Sequence, residues 1–358
     1  MESVVIMNLT FYKNKRVFIT GHTGFKGSWM CKVLTMYGAN VMGYALNPST
    51  TPNLFEVADI ESNISHTVGN ISDLEHLKRV IMDFKPEIVI HMAAQPLVRE
   101  SYVDPVYTYQ TNVMGTVNIC EAVRLCDSVK SFINVTTDKV YENKEWSWGY
   151  RENDNLNGYD PYSNSKSCSE LVTSSYINSY FSNNKNLAVS TCRAGNVIGG
   201  GDFSKDRIIP DCIQAAIKNE DIIVRNPFSV RPYQHVLEPV YAYLYIAMMM
   251  YQDASYSGTY NIGPNESDCI ETGALTTLFC DIWGENQKWI NLSEANSVHE
   301  ANYLKLDTSK VKSTFGIKPR WDISTAIEKT VEWTKVYNKG DNISDVMCKQ
   351  VISYMEDL

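Results

Sequence analysis

The sequence is poor in the features that would send a chain to a membrane, a nucleic acid or a metal. Its longest apolar run, VYAYLYIAMMMY from Val240 to Tyr251, falls short of the ~20 residues that span a bilayer and reads as a buried helix. The N-terminus has no charged region followed by an apolar stretch and a cleavage site, and Met7 follows six residues of no evident pattern. Cation excess is also missing. Lys and Arg number 32 against 41 Asp and Glu, so a net charge of -9 offers no general attraction to nucleic acid or anionic lipid. An anionic ligand must therefore meet a local cluster of arginines. The nine cysteines, an odd number, form no CxxC pair and no Cys/His group at metal-ligand spacing. No metal is expected, and reduced thiols in a cytoplasmic setting are. A last gap is local: no Lys or Arg occurs between Lys32 and Lys78.

What is present suits a large buried core, with 358 residues, 44% of them hydrophobic and 20% charged. Short β-branched runs alternate with helical periodicity: RVFIT from Arg16, NVMGYAL from Asn40, EIVIHMA from Glu87, SFINVTT from Ser131 and LAVSTCR from Leu187. The intervening patterns predict helices over 26–37, 73–84, 105–126 and 161–180, each opened by a polar or proline cap signal. Such βαβα order implies an α/β fold, a Rossmann-type doubly wound parallel sheet. Beyond Gly195 the pattern turns irregular, with Gly199-Gly200-Gly201 and several prolines, which predicts a smaller C-terminal substrate-binding lobe. The expected division is 1–195 plus about 236–260 for a dinucleotide-binding unit, and 196–235 plus 261–358 for the lobe.

Three signals carry chemistry. The first is TGHTGFKG, with Gly21, Gly24 and Gly27 between the opening strand and the first helix. Glycines there let backbone approach a pyrophosphate whose charge meets free N–H groups at the helix start. Without a cation between Lys32 and Lys78 a 2′-phosphate has no partner, so NAD is favoured over NADP. The acidic residue usually expected on the ribose is replaced by Ala45-Leu46-Asn47, with Asn47 the nearest substitute. Asn70 could bond the adenine or simply form a turn.

The second signal, Tyr162-Ser-Asn-Ser-Lys166 at the front of a helix, puts phenol and ammonium on one face. A tyrosine near its reference value of about 10 is a poor base at neutral pH, but a lysine cation beside it favours the phenolate. The third is Thr137-Asp138-Lys139, just past a strand end where ligands collect in open α/β sheets. Asp138 and Lys139 offer two further proton-transfer groups, more than a plain oxidation requires. Tyr and Lys at this spacing also arise by chance on amphipathic helices, and an Asp-Lys pair can be a surface turn; the combination with the glycine loop favours chemistry.

With these residues in view, the chain resembles the extended short-chain dehydrogenase/reductase superfamily and, within it, the bacterial CDP-glucose 4,6-dehydratases. The segments that carry the likeness are GHTGFKGSW, HMAAQPLVRESY, VTTDKVYEN, GYDPYSNSKSCSE, CRAGNVIGGGDF, RNPFSVRPYQHVLEP and HEANYLKLD. The resemblance implies that Gly21, Thr23, Gly24, Phe25, Lys26 and Gly27 cradle NAD, flanked by Asn70, Ile71, Ala93, Ala94 and Asn112 and by Tyr162 and Lys166. It implies a catalytic set of Thr137, Asp138, Lys139, Tyr162 and Lys166 working on CDP-glucose: oxidation at C4, loss of water across C5 and C6, and reduction at C6. Where the wider dehydratase pattern has Glu after the Asp, Lys139 stands. A lysine used as base at its reference value of about 10.4 pays roughly 4.6 kcal/mol at pH 7, so the C5 base is the open assignment. The expectation is Lys139 at C5 and Asp138 at the departing C6 hydroxyl.

Arg207 and Arg231 suit two faces of a diphosphate. Asn196 and His235 are further substrate candidates, and Gln95, Arg99 and Tyr102 could line the sugar pocket. The runner-up enzyme is a nucleotide-sugar 4-epimerase, and a non-catalytic NAD-binding scaffold is the alternative of another class. Relatives of this kind associate as dimers or tetramers, so a homo-oligomer is expected. The resemblance also points to deoxyhexose supply for surface polysaccharide such as O-antigen.

Overall fold

The computed structural model describes residues 9–292, apart from 183 and 185, and residues 303–356. The leader before Met7 and the opening of HEANYLKLD lie outside these residues.

Seven strands form one parallel sheet: β1 (Arg16–Thr20), β2 (Asn40–Ala45), β3 (Ser65–Val68), β4 (Ile88–His91), β5 (Ser131–Thr137), β6 (Ala188–Ala194) and β10 (Gly258–Ile262), in the spatial order β10-β6-β5-β4-β1-β2-β3. Direction of travel along the sheet reverses between β1 and β4, the crevice where open α/β sheets bind ligands. β4, β5 and β6 are buried along their whole lengths, as strands covered on both faces must be.

Successive side chains point to opposite faces, and the two cores follow that rule. Val17, Ile19, Ile88, Ile90, Ile133 and Val135 enter the larger core, with helices Phe25–Met36, Leu237–Gln252 and Ile343–Glu356. Phe18, Val89 and Phe132 enter the other, beneath helices Leu74–Phe84 and Gly115–Arg124. The run around Val240 to Tyr251 is thus a buried helix, and among the described residues no helix is long and apolar enough to cross a membrane.

A third core, built from Ile209, Cys212, Leu275, Phe279, Ile327 and Val331 among others, belongs to the smaller lobe. It carries β7 (Asn196–Ile198), β9 (Val230–His235) and β11 (Cys269–Glu271) in one sheet, and β8 (Ile222–Val224) with β12 (Trp289–Asn291) in another. The expected division assigned 261–358 wholly to this lobe. The structure differs twice: β10 runs on to Ile262 within the large sheet, and the helix Ile343–Glu356 packs through Val346, Met347 and Val351 into the larger core. An amphipathic helix goes where its apolar face is buried, whatever its place in the chain.

The helix expected over 105–126 is broken into Pro105–Tyr109, a π-helical turn at Gln110–Met114, and Gly115–Arg124. The wider turn buries Asn112, whose amide bonds the backbone N–H and carbonyl of Gln95 and the Ser165 hydroxyl. The helix from Pro161 likewise becomes π-helical after Tyr176.

Among the described residues, three histidines are fully buried. Burial, helped by the nearby His66, pushes His22 down to about 4, while burial pushes His91 and His235 down to about 3. Their unfolded counterparts bind protons near 6.5, so between that pH and the folded values the unfolded chain holds more protons. Stability is therefore full above about pH 6.5 and falls on acidification, by up to ~1.4 kcal/mol per pH unit for each histidine. Thermal melts from pH 7 to 5 are expected to show this slope, and His235→Gln is expected to flatten it.

Candidate active site

The site starts where β1 stops. Gly21 has φ +77, and a Cβ on it would lie 2.8 Å from the Ala93 amide nitrogen. Gly27, in the first turn of the helix Phe25–Met36, passes so close to the loop that its Cβ would sit 2.2 Å from the Gly21 carbonyl oxygen. Gly24 is the N-cap and no side chain caps the helix, so its first amides are left to a ligand. The Thr20 hydroxyl accepts from the amides of Met92 and Ala93, both at 3.1 Å, and locks the ends of β1 and β4 together.

Thr23 donates to the Leu46 carbonyl at 2.9 Å, so the loop reaches the end of β2. Asn70 Oδ1 accepts from the Ser72 amide at 2.9 Å, the turn geometry that was the alternative to adenine contact. Ile71 packs beneath the π-turn, where Gly115 leaves it room. Ala94 is half-buried beside Ala93. Lys26 lies over the Tyr243 ring, 5.7 Å from its centroid. Burial, then the cations Arg207 and Lys166, push its ammonium down to about 8, with Asp138 opposing.

β5 delivers the second group. Thr137 is its last residue, and the 3-10 turn Asp138–Val140 follows. Asp138 is fully buried; its Oδ1 accepts from the Thr137 hydroxyl at 3.0 Å and from Lys139 Nζ at 3.2 Å. Its Oδ2 has no hydrogen-bond partner among the described residues. Lys139 Nζ also donates to Asn196 Oδ1 at 3.3 Å, which brings β7 to the same point.

Helix Pro161–Tyr176, N-capped by Asp160 and opened by Pro161, presents Tyr162 and Lys166 from its first two turns. Lys166 Nζ donates to the Val135 carbonyl at 3.0 Å. Burial drives Tyr162 up to about 12 against the pull of Thr137, and lowers Lys166 to about 8 against that of Glu170. The two shifts move phenol and amine apart in proton affinity, with the phenol holding its proton more tightly than the amine, so the phenolate depends on positive charge beside it. Thr137, Asp138, Lys139, Tyr162 and Lys166 thus meet at one end of the sheet, with Lys26 and Arg207 close enough for their charges to act on them.

The lobe residues divide. Arg207, at the N-cap of the helix Ile208–Ile217, is half-exposed and paired with buried Asp202 at 2.9 Å. Arg231 is buried on β9, its guanidinium donating to the Val230 carbonyl. Arg99 is exposed and shares Asp206 with Arg225, both at 3.3 Å. Tyr102 is largely exposed. Gln95 has its amide committed to Leu97 and Thr108, so it shapes the loop rather than offering a free contact. His235 departs from expectation: its ring is enclosed, edge-on to Trp29 and Trp321 at 6.0 and 4.8 Å, with Nδ1 accepting from the Leu237 amide.

Sequence reasoning missed the acidic partners Asp202 and Asp206, and the clamp around the glycine triplet. Trp29 Nε1 donates to the Gly200 carbonyl at 3.0 Å, a Cβ on Gly200 would fall 2.0 Å from Trp333 Cγ, and Phe25 abuts Gly199. GGG followed by Asp was the readable signal for it.

A doubly wound sheet with this glycine loop and a Tyr/Lys helix defines an extended short-chain dehydrogenase/reductase. Residues 18–330 match the GDP-mannose 4,6 dehydratase family, and the chain belongs to it. It is 45% identical over 355 residues to the CDP-glucose 4,6-dehydratase of Salmonella typhimurium, covering 98% of this chain and 99% of that one. The dTDP-glucose 4,6-dehydratase of Xanthomonas campestris is 26% identical over 337 residues, 88% of this chain and 92% of the other. Among solved structures, dTDP-glucose 4,6-dehydratase from Bacillus anthracis in complex with NAD superposes with TM-score 0.74 at 21% identity, covering 93% and 99% of the two chains. UDP-glucose 4-epimerase from Thermotoga maritima superposes with TM-score 0.79 at 21% identity, covering 90% and 99%. At that distance a shared fold does not separate dehydratase from epimerase.

The glycine loop makes a sharp contrast testable. Gly24→Ala is expected to be tolerated, since its Cβ would meet only the Gly21 carbonyl at 3.5 Å. Gly27→Ala forces backbone apart and is expected to cost ~1–3 kcal/mol or more, read as a fall in melting temperature that Gly24→Ala does not share.

Proposed function

We propose that this chain converts CDP-D-glucose to CDP-4-keto-6-deoxy-D-glucose with NAD as a retained cofactor, by oxidation at C4, loss of water across C5 and C6, and reduction at C6. The observation that carries this reading is the meeting of Asp138 and Lys139 with Tyr162 and Lys166 at one strand end beside the glycine loop. The 45% identity to a CDP-glucose 4,6-dehydratase along nearly the whole chain supports it. An epimerase needs only Tyr162 and Lys166; the added Asp138-Lys139 pair favours elimination.

The cradle fits a dinucleotide, because Gly21 and Gly27 let the loop close against Ala93 and the helix start, a Cβ on Gly24 would meet only the Gly21 carbonyl, and the helix start is uncapped. Gly21, Thr23, Gly24, Phe25, Lys26 and Gly27 would hold it, with Ile71, Ala93 and Ala94 alongside and Asn112 fixing the Gln95 loop. When bound, NAD supplies a reversible two-electron oxidation. The protein supplies the proton chemistry. Thr137 orients a sugar hydroxyl; Tyr162, as phenolate, takes the proton of the 4-hydroxyl, and the Lys166 cation lowers the cost of that phenolate. A ketone at C4 acidifies C5. Lys139 removes the C5 proton, and Asp138, 3.2 Å from the Lys139 amine, gives a proton to the departing C6 hydroxyl.

The smaller lobe holds the nucleotide, with Arg207 and Arg231 on the diphosphate, Asn196 near the reacting sugar through its bond to Lys139, and Arg99 at the rim. Exposed Val103, Val106, Met114 and Leu171, on the 98–124 helices and the catalytic helix, support a homo-oligomer built on that face. Nine free cysteines support a reducing, cytoplasmic setting.

Purified protein incubated with CDP-glucose is expected to yield an alkali-developed keto-sugar chromophore, which neither an epimerase nor a scaffold accumulates; its absence, with the UDP, GDP and dTDP sugars also negative, defeats the proposal. Tyr162→Phe is expected to lower turnover ~10²–10⁴-fold. Lys139→Gln is expected to oxidise C4 yet fail to exchange the C5 hydrogen with solvent, as read by deuterium incorporation.

A further inference from the structure

One turn beyond Lys166, on the same face of its helix, lies Glu170. Its carboxylate is buried, yet almost every lone pair is engaged. Oε1 accepts from the Thr136 hydroxyl at 2.6 Å, and Arg193 Nε lies 2.9 Å from both oxygens. Arg193 is buried too; its Nη2 also donates to Glu170 Oε2, and its Nη1 donates to the Tyr141 hydroxyl at 2.7 Å and the Glu152 carbonyl at 3.0 Å. Removing two charges from water and pairing them is a poor route to stability, since apolar residues of similar volume often serve as well. Position gives the pair another use. Thr136, which the carboxylate holds, stands between Val135, whose carbonyl receives Lys166, and Thr137 of the site.

Besides Glu170, the charged and titratable groups that act on or lie near Lys166 include Lys26 on the first helix and His91 at the end of β4, with Tyr162 on its own helix, Asp138 and Lys139 just after the strand whose Val135 carbonyl it bonds, and Arg193 paired to Glu170. Burial disfavours the Lys166 cation, and Glu170 is the group that opposes burial.

We propose that Glu170, clamped by Arg193 and Thr136, is a positioning residue that keeps Lys166 cationic and aimed beside Tyr162. This rests on the reading of Tyr162 and Lys166 as the proton-abstracting pair. The reactive form of that pair, phenolate with ammonium, holds as many protons as phenol with neutral amine, and the two forms compete. Glu170 favours the first. Without the carboxylate the pair loses its first proton at lower pH, but a larger share then sits in the unreactive form. Below the pH of that first loss the reactive fraction is unchanged. A scaffold residue would not produce this pattern.

Glu170→Gln leaves Arg193 buried without its anion, so Glu170→Gln/Arg193→Met, with no buried charge, is measured beside it. In the NAD-loaded enzyme with CDP-glucose, the expected pH-rate profile of Glu170→Gln overlays that of the parent on the acid side. It then levels off about one pH unit earlier, at a rate about tenfold lower. The double variant is expected to shift less in the same direction, and Glu170→Asp to recover part of the loss. A uniform loss at every pH, with the acid limb in place, overturns the proposal. If the parent protein makes no product, the functional reading fails separately. The Lys166 Nζ resonance, assigned with Lys166→Met, is then titrated directly: a lowered midpoint in Glu170→Gln supports the proposal and an unmoved one overturns it.

Discussion

The structure depends on β5 being held between two parallel neighbours, β4 and β6, with both of its faces covered. A strand in that position has all its backbone groups committed and no side chain in water, so its end cannot drift. Thr137, Asp138 and Lys139 are what the chain does immediately after that end. Their geometry therefore follows from the sheet, not from the loop in which they lie. The same parallel arrangement sends β1 and β4 to the same edge, which is why the glycine loop arrives within reach of them.

Around that edge the polar groups are arranged by burial more than by contact. Tyr162 and Lys166 are driven apart in proton affinity because both lose water, one rising and the other falling. The buried Asp138 is anchored by Thr137 and Lys139 on one oxygen, while its other oxygen has no hydrogen-bond partner among the described residues. An acid-base site needs this asymmetry, with one side fixed for orientation and the other available for transfer.

Much of this was legible in the sequence. The strands from Arg16, Ser131 and Leu187, and the helix starts near Phe25 and Pro161, were marked by β-branched runs and by Asp160-Pro161. They are local signals, and local signals survive folding. What escaped was long-range. Nothing near Gln110 announces a π-turn, because its cause is Asn112 meeting Gln95 and Ser165 from elsewhere in the chain. His235 sits in a stretch read as nucleotide-contacting, but its ring is enclosed edge-on to Trp29, from the first helix, and to Trp321, from near the other end of the chain. The final helix joined the large sheet because its apolar face fits there, a fact about partners and not about its own residues. Glu170 was readable at helical spacing from Lys166, whereas Arg193 had no sequence cue.

The triplet after β7 has a consequence for how such a chain can diverge. Gly200 offers no volume to its neighbours and Trp333 takes all of it, while Trp29 holds the same turn by its carbonyl. A side chain at position 200 is admissible only alongside a shrunken residue at 333, and a shrunken residue at 333 opens a void unless 200 grows. The two positions can therefore drift only as a couple, and a chimera that takes the turn from one relative and the last part of the lobe from another inherits either a collision or a hole.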